Sequence, residues 1–337
     1  MSTTTQATAT EQTTATETRT PLLTVSHLTR RYGARVAVND VSFTLGPGIT
    51  GLLGPNGAGK SSLMTCLAGI ASWDSGSIKI GDADVARNPA RARKLMGFMP
   101  ERVNFPNEMR VVEYLNFAAA AKKIPKAERA AAVELAMKRT GLTHMSTRIV
   151  GNLSKGYRQR VGMGQALMGD PLVTIMDEPM SGLDPLNILD MRGMLQEYAK
   201  TRSLIVSTHL LADARLMCSK VLVMSLGKLV YAGVPSEMAE GAGHAIRMRI
   251  RIHTQVKPAN DDLVPGASIN DVENDERGTT VTVEAKDDKV VADLLRVWSA
   301  KWPVTAAEST ADSLEEAFRE AVMGSVQAGE DVTTPTT

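Results

Sequence analysis

The chain has 337 residues, with 38 Lys and Arg against 37 Asp and Glu, and a formal net charge of +1. This length allows two or three domains, and the balanced charge gives no electrostatic footprint for nucleic acid. The two cysteines, Cys66 and Cys218, are far apart and have no metal-ligand neighbours, which excludes a disulfide scaffold or a zinc module and indicates packing residues.

The longest uncharged stretch, residues 41–59, contains six Gly and two Pro, a density that no membrane-spanning helix carries. The first residues show no basic region followed by an apolar run, as a secretory signal would. We therefore expect a protein that works inside the cell and does not itself cross a bilayer.

Both ends of the sequence are poor in apolar residues. Residues 1–20 contain ten Thr and no large aliphatic residue after Met1, and residues 325–337 end in Thr-Thr-Pro-Thr-Thr. Such segments cannot bury enough apolar surface to offset the entropy lost on ordering. We predict that both are disordered tails.

Between the tails, short apolar runs alternate with helix-length segments, a pattern typical of a parallel sheet covered by helices. The predicted buried strands are 49–53, 172–176, 204–207 and 221–224. The predicted helices, several of which begin at Ser, Asn or Pro, are 60–70, 110–122, 126–140, 154–168, 185–200 and 210–217.

The pattern changes after about residue 241. From Ile246 to His253 apolar residues alternate with basic ones, which predicts a half-buried strand, and residues 281–284 predict another. Amphipathic helices are predicted near 289–301 and 313–323. We expect a small accessory domain over 241–324, and we interpret its arginine row as a polar sheet face, with a lipid or partner patch as the alternative.

The sharpest motif is a G-x-x-x-x-G-K-S segment that follows a predicted strand and precedes a predicted helix. Its residues are Gly54, Pro55, Asn56, Gly57, Ala58, Gly59, Lys60 and Ser61. The glycines let backbone N–H groups face phosphate oxygens, and the helix N-terminus favours anions. Lys60 would reach the β- and γ-phosphates and Ser61 would ligate Mg²⁺; the alternative is a Gly-rich turn before a helix.

Two carboxylates, Asp177 and Glu178, end the predicted strand 172–176. Asp177 is placed to hold Mg²⁺ through water, and Glu178 to act as the general base on the attacking water. An acidic turn after a strand is the alternative, but a preceding phosphate loop favours the catalytic interpretation.

A Leu-Ser-x-Gly segment lies between the phosphate loop and the two carboxylates, at the start of another predicted helix. Their order is the phosphate loop, Leu153-Ser154-Lys155-Gly156, Asp177-Glu178, Ser181-Gly182-Leu183-Asp184 and His209. In this order the chain resembles the ATP-binding subunit of an ABC transporter over about residues 22–240. The resemblance predicts an ABC ATP-binding domain over 21–240.

The resemblance implies further contacts with nucleotide. Tyr32 would stack on adenine, with a strand-edge tyrosine as the alternative, and Ser62 would add to the phosphate-loop contacts. Ser154 and Gly156 would touch the γ-phosphate held by a second subunit, so that two subunits enclose two ATP.

Two further roles follow from the same resemblance. Asp184, with the loop that begins at Ser181, would couple the two nucleotide sites, or would only cap the next helix. His209 would contact the γ-phosphate as a catalytic residue beside Lys60 and Glu178, or would only begin a helix.

Two positions depart from the family pattern. In the Leu-Ser-x-Gly segment, Lys155 and Tyr157 stand where the family has Gly and Gln. Glu101 stands where the family offers Gln to Mg²⁺ and to the membrane partner. A carboxylate there can ligate Mg²⁺ but also repels γ-phosphate oxygens, and an exposed surface glutamate is the alternative.

The resemblance implies an α/β fold: a P-loop NTPase core of the ABC type with an antiparallel β subdomain and a helical subdomain, followed by the small C-terminal α+β domain. It implies ATP and Mg²⁺ as cofactors, a homodimer, and a separate multi-span transmembrane subunit, with no nucleic-acid partner. The protein would be an ATPase, peripheral on the cytoplasmic face of the membrane. Lys155, Glu101 and the segment 312–318 resemble type-two ABC exporters, which favours export.

Two other functions stay open at this stage. The first is an ABC-type mechanochemical protein acting on nucleic acid or ribosomes, which usually brings tandem cassettes, a long coiled coil or a basic surface. The second is a regulatory ATP-binding module without turnover, which would lack the general base. The sequence shows none of the first set of features, and Glu178 is present.

Overall fold

The computed structural model describes residues 21–208, 211–241, 246–286, 288–309, 318 and 321–323. The strands within these ranges are β1 Leu23–Tyr32, β2 Arg35–Leu45, β3 Gly48–Leu53, β4 Ser75–Ile80, β5 Ala83–Asp84, β6 Met96–Met99, β7 Val173–Met176, β8 Ser203–Ser207, β9 Lys220–Ser225, β10 Lys228–Gly233, β11 Ile246–Ile252, β12 Ala267–Asp275, β13 Gly278–Ala285 and β14 Val304–Ser309. The helices are α1 Lys60–Leu67, α2 Pro89–Lys94, α3 Val111–Ala121, α4 Arg129–Arg139, α5 Lys155–Ala166, α6 Pro185–Ala199, α7 Leu211–Met217, α8 Pro235–Gly241 and α9 Asp288–Lys301.

The central sheet has the order β10-β9-β3-β8-β7-β6, in which all neighbours are parallel except the β9–β10 hairpin. Strands buried on both faces are expected to be continuously apolar, and β7 and β8 are buried at every position. The four strands predicted in this region are confirmed, because each lies within one residue of an observed strand.

A second sheet, antiparallel with the order β2-β1-β4-β5, packs its apolar face onto α1 and the central sheet. Its strands were not predicted individually. The pairing of β1 with β2 shifts register three times between Val25 and Arg31, and each bulge breaks the period-two alternation that marks a strand in sequence.

A helical region, formed by α3, α4 and part of α5, has its own core. The core includes Val111, Leu115, Val133 and Val161, all nearly inaccessible to solvent. α5 also contacts β6 and β7, so this helix joins the helical region to the central sheet. The six helices predicted between residues 60 and 217 are confirmed with ends shifted by up to three residues, whereas the short helices α2 and α8 were not predicted.

After residue 245 the chain forms a separate four-stranded antiparallel sheet, β12-β13-β11-β14, covered on one face by α9. The core of this sheet contains the fully buried Trp298 and apolar side chains of β11 and β13. On the other face every arginine of β11 has an acidic neighbour. The ion pairs are Arg247–Glu284, Arg249–Glu273 and Arg251–Asp275. The arginine row is therefore neutralised across the strands, as a polar sheet face would be.

A short stretch near the end of the chain returns to the first part of the molecule. Phe318, Ala321 and Val322 pack against the core that covers the central sheet, and the Ser225 hydroxyl donates a hydrogen bond to the carbonyl of Val322 at 3.5 Å. We call residues 318–323 the return segment, of which 318 and 321–323 are described. Most of the predicted helix 313–323, and both predicted tails, lie outside the described residues.

None of the helices in the described residues combines the length and apolarity needed to cross a membrane.

Candidate functional site

The carboxyl ends of β3, β6 and β7 meet at an open cavity of about 670 Å³. Ligands of open α/β folds commonly bind at such an edge. The cavity is lined by Tyr32, Arg35, Ala37, Asn56, Gly57, Gly59, Lys60, Ser61, Ser62, Glu101, Asp177, Glu178 and Ser181. Most of the residues that we predicted for one nucleotide site are thus brought together.

The phosphate loop joins β3 to α1. Gly54, Gly57 and Gly59 have φ values of +148°, +82° and +106°, which side-chain-bearing residues rarely adopt. A Cβ at Gly54 would lie 2.4 Å from the carbonyl oxygen of Met224, and one at Gly59 would lie 2.1 Å from that of Ala37. Gly54 and Gly59 are therefore required both by backbone conformation and by close packing, whereas Gly57 is required by its backbone conformation.

Lys60 is the first residue of α1 and lies inside the loop. Its Nζ donates hydrogen bonds to the carbonyl oxygens of Gly54 at 2.6 Å and Pro55 at 3.0 Å. Burial lowers the pKa of Lys60, and the carboxylates of Glu178 and Asp177 oppose that shift. The ammonium is consequently held at the mouth of the loop, where it can meet phosphate oxygens.

The neighbouring strand holds the Asp177 carboxylate and the Glu178 backbone at the end of β7. The Ser207 hydroxyl, at the end of β8, donates a hydrogen bond to Asp177 Oδ1 and accepts one from the backbone N–H of Glu178 at 2.8 Å. Glu178 has φ +46°, a left-handed conformation that costs about 1 kcal/mol or more in a non-glycine residue. Non-glycine strain of this kind occurs most often at functional sites.

Tyr32 and Glu101 stand at the rim of the cavity. Tyr32 is 48% exposed, and the guanidinium carbon of Arg30 lies 4.6 Å from the centroid of its ring. One side of the ring therefore has a cation against it, and an exposed part is left for a base. Glu101 is exposed two residues after β6 ends and shares the cavity with Ser61 and Asp177.

Ser154, Gly156 and Asp184 do not line this cavity. Ser154 is the N-cap of α5 and accepts the backbone N–H of Tyr157 at 3.5 Å. Asp184 is the N-cap of α6: it accepts the backbone N–H of Asn187 at 3.0 Å and its side-chain amide at 2.6 Å, and these bonds lower the pKa of Asp184. The capping alternative for Asp184 is thus present in the structure. His209 lies outside the described residues.

The sequence analysis missed Arg35 and Ala37, which also line the cavity. Arg35 is the first residue of β2 and donates from Nη2 to the carbonyl of Gly57 at 3.1 Å. The signal that could have found it is its place three residues after Tyr32, across a Gly33-Ala34 turn. That signal becomes informative only once the hairpin is recognised.

A glycine-rich phosphate loop and its lysine follow a strand of a parallel sheet and share a cavity with carboxylates from the end of another strand. This arrangement defines a P-loop nucleotide-binding protein. The family model for ABC transporters matches residues 38–181. The uncharacterized ABC transporter ATP-binding protein YxlF of Bacillus subtilis (strain 168) is 33% identical over 65% of this chain and 73% of its own length. The chain belongs to the ABC transporter ATP-binding family.

Two further proteins illustrate the family. The lipopolysaccharide export system ATP-binding protein LptB of Escherichia coli (strain K12) is 31% identical, over 65% of this chain and 92% of its own length. The structure of cbiO1 from Clostridium perfringens, part of the ABC transporter complex cbiONQ, has 28% identity and a TM-score of 0.60 over 66% of this chain and 92% of that one.

These relatives confirm the predicted α/β fold of the ABC type and the predicted class of activity. The chain is an ATP-binding, ATP-hydrolysing subunit of a transporter. Subunits of this family dimerise and work with transmembrane subunits. A mechanochemical protein acting on nucleic acid or ribosomes is not favoured by these comparisons.

Proposed function

We propose that two copies of this chain dimerise around two ATP and hydrolyse them to export a substrate through a separate multi-span transmembrane subunit. The chain then lies peripheral on the cytoplasmic face of the membrane. The observation that carries the proposal is that Lys60 of the phosphate loop, Asp177 and Glu178 line one and the same cavity.

ATP binds with its phosphates in the phosphate loop. The backbone of residues 54–61 curls around the β- and γ-phosphates, and Ser62, which also lines the cavity, extends these contacts along α1. Lys60 exchanges its bonds to Gly54 and Pro55 for phosphate oxygens, which relieves the cost of its burial. The adenine stacks on the exposed part of Tyr32.

Mg²⁺ fits the oxygen ligands that face the phosphate loop. Ser61, Asp177 and Glu101 offer a hydroxyl and two carboxylates to one cavity, a hard-oxygen set that suits this cation. When bound, Mg²⁺ neutralises phosphate charge. Ser207 orients Asp177 for this role, because its hydroxyl already occupies one carboxylate oxygen.

Hydrolysis uses water and the general base. Glu178 accepts a proton from water as its oxygen attacks the γ-phosphorus; the bond to the bridging oxygen breaks, leaving ADP and inorganic phosphate. The hydrogen bond from the Glu178 backbone N–H to the Ser207 hydroxyl fixes the backbone position from which the Glu178 side chain extends. The family resemblance adds His209, which lies outside the described residues, as a contact to the γ-phosphate in this step.

The second copy supplies the remaining nucleotide contacts. Ser154, Gly156 and Asp184 lie outside the cavity of their own chain. A Cβ at Gly156 would lie 3.2 Å from the Asn187 side chain, so the starts of α5 and α6 are packed together. We infer that this surface closes over the ATP of the other copy and couples the two sites.

The membrane partner binds a groove beside β6, which contributes Met96 and Phe98 to its lining. The groove is mostly apolar, with exposed Ile70 and part of Phe98, and basic side chains such as Arg93, Lys94 and Lys123 surround it. Phe98 lies three residues before Glu101, so force on the groove acts on the strand that leads to the nucleotide. A partner helix with apolar and acidic residues fits this surface.

The test is affinity purification from membranes of wild-type chain, Ile70→Glu, and the matched control Val297→Glu, which changes an exposed apolar residue of α9. We expect the wild type and the Val297→Glu control to recover one multi-span membrane protein, and Ile70→Glu to lose it. All three isolated chains should keep ATP turnover. Equal recovery of the membrane protein with Ile70→Glu would contradict the assignment of this groove as the partner's binding site. Recovery of ribosomes or nucleic acid in place of a membrane protein supports the alternative function.

A further inference from the structure

A second cation stands beside the tyrosine ring of the site. Tyr32 and Arg35 are paired directly opposite each other where the β1–β2 hairpin closes. Side chains of directly opposed residues in an antiparallel pair project to the same face. Both residues line the cavity, and the Arg35 guanidinium reaches from this hairpin to Gly57 of the phosphate loop.

Arg35 is hydrogen-bonded to the phosphate loop and has further N–H donors that are not used in this bond. Its Nη2 donates to the carbonyl oxygen of Gly57 at 3.1 Å, which joins the hairpin to the phosphate loop. A guanidinium has five N–H donors in a planar fork. Among the described residues no other hydrogen bond or ion pair of Arg35 is present, so the remaining donors are available to a ligand in the cavity.

The charge of the cavity makes this cation important. Its charged lining consists of three carboxylates, Glu101, Asp177 and Glu178, and two cations, Lys60 and Arg35. Without Arg35 a single ammonium would face both the carboxylates and an incoming polyphosphate. A guanidinium matches phosphate oxygens better than any other side chain, because two parallel N–H donors can meet two oxygens.

We propose that Arg35 binds the α-phosphate of the nucleotide while it stays bonded to Gly57. Its position between Tyr32, at the base, and Lys60, at the terminal phosphates, selects the first phosphate. The inference rests on the proposed mode of ATP binding in this cavity. Arg35 would make the site recognise the junction of nucleoside and phosphate in addition to the triphosphate.

The test is a set of affinities for AMP, ADP, ATP, adenosine and pyrophosphate, measured by competition with a fluorescent ATP analogue. The variants are Arg35→Ala, Arg35→Lys and the control Arg31→Ala, an exposed arginine of the same hairpin outside the cavity. We expect Arg35→Ala to weaken AMP, ADP and ATP alike, by about tenfold, with adenosine and pyrophosphate unchanged. Arg35→Lys should recover part of the loss.

Three results would overturn the proposal. Unchanged AMP affinity means that Arg35 does not touch the nucleotide. An equal loss for pyrophosphate means that it acts only by shaping the loop through Gly57. An equal loss for adenosine means a contact to base or ribose. Circular dichroism melts exclude misfolding, and failure of the wild type to bind ATP would contradict the proposed function instead of this inference.

Discussion

The hydroxyl of Ser207 donates a hydrogen bond to Oδ1 of Asp177 across two neighbouring parallel strands, β8 and β7. The same hydroxyl oxygen accepts the backbone N–H of Glu178. One small side chain thus orients the proposed metal ligand and the proposed general base together. Its loss should affect chemistry more than folding.

We expect Ser207→Ala to lower ATP turnover about 10- to 100-fold and to raise the Mg²⁺ concentration needed for half-maximal rate, because one hydrogen bond to the Asp177 carboxylate and one from the Glu178 backbone are lost. The matched control is Ser203→Ala at the start of the same strand, whose buried hydroxyl has no hydrogen-bond partner in the described part of the chain. Turnover is measured across a Mg²⁺ series. Equal effects of the two substitutions would show that Ser207 only fills space.

Glu101 lines the cavity at the position where the family resemblance predicts Gln. If Glu101 faces the γ-phosphate, its charge must be balanced by Mg²⁺, and Glu101→Gln removes the repulsion while keeping the shape. We expect Glu101→Gln to tighten ATP binding more in low Mg²⁺ than in saturating Mg²⁺. Nucleotide titrations of wild type, Glu101→Gln and the exposed control Glu108→Gln check this, and parallel curves for all three would place Glu101 away from the phosphates.

Both cysteines should be inert in the folded protein. Burial raises the pKa of Cys66 to about 11 and that of Cys218 to about 12. At pH 8 the thiolate fraction of Cys66 is then about one in a thousand, and the thiolate is the reactive form. We expect a thiol reagent at pH 8 to label neither cysteine within minutes unless denaturant is added. Rapid labelling of the native chain would contradict the burial of these residues.

The phosphate loop and the strand-end carboxylates could be predicted because their chemistry needs specific residues at fixed local spacing. Gly54, Gly59 and Lys60 lie within seven consecutive residues, so no knowledge of tertiary structure was required. Arg35 could not be found this way, because its role depends on the register of β1 against β2. The bulges in β1 hide that register from the sequence.

The end of the chain shows the same limit. An apolar pattern around Phe318 predicts a helix but not the surface it covers. Only the structure places Phe318 against the core of the central sheet, so the division into domains 21–240 and 241–324 stays a proposal. A chain cut after residue 241 would lose this contact as well as the accessory sheet.

The return segment should stabilise the ATP-binding domain. Phe318→Ala removes a half-buried ring, which should cost about 1–2 kcal/mol and lower Tm by about 2–4 °C. Met323→Ala, in the same segment but 59% exposed, is the control and should leave Tm unchanged. Differential scanning calorimetry with and without ATP measures both. Equal melting of the two variants would show that the contact adds no stability.

The general base is tested most directly by Glu178→Gln, which keeps the size of the side chain and its backbone hydrogen bond to Ser207. The decisive measurement is the oligomeric state of this variant by light scattering in MgATP, with turnover measured on the same sample. Because ATP binding is intact and proton acceptance is lost, we expect an accumulated ATP-bound dimer and turnover reduced at least 100-fold. A monomer that hydrolyses ATP at the wild-type rate would contradict the account.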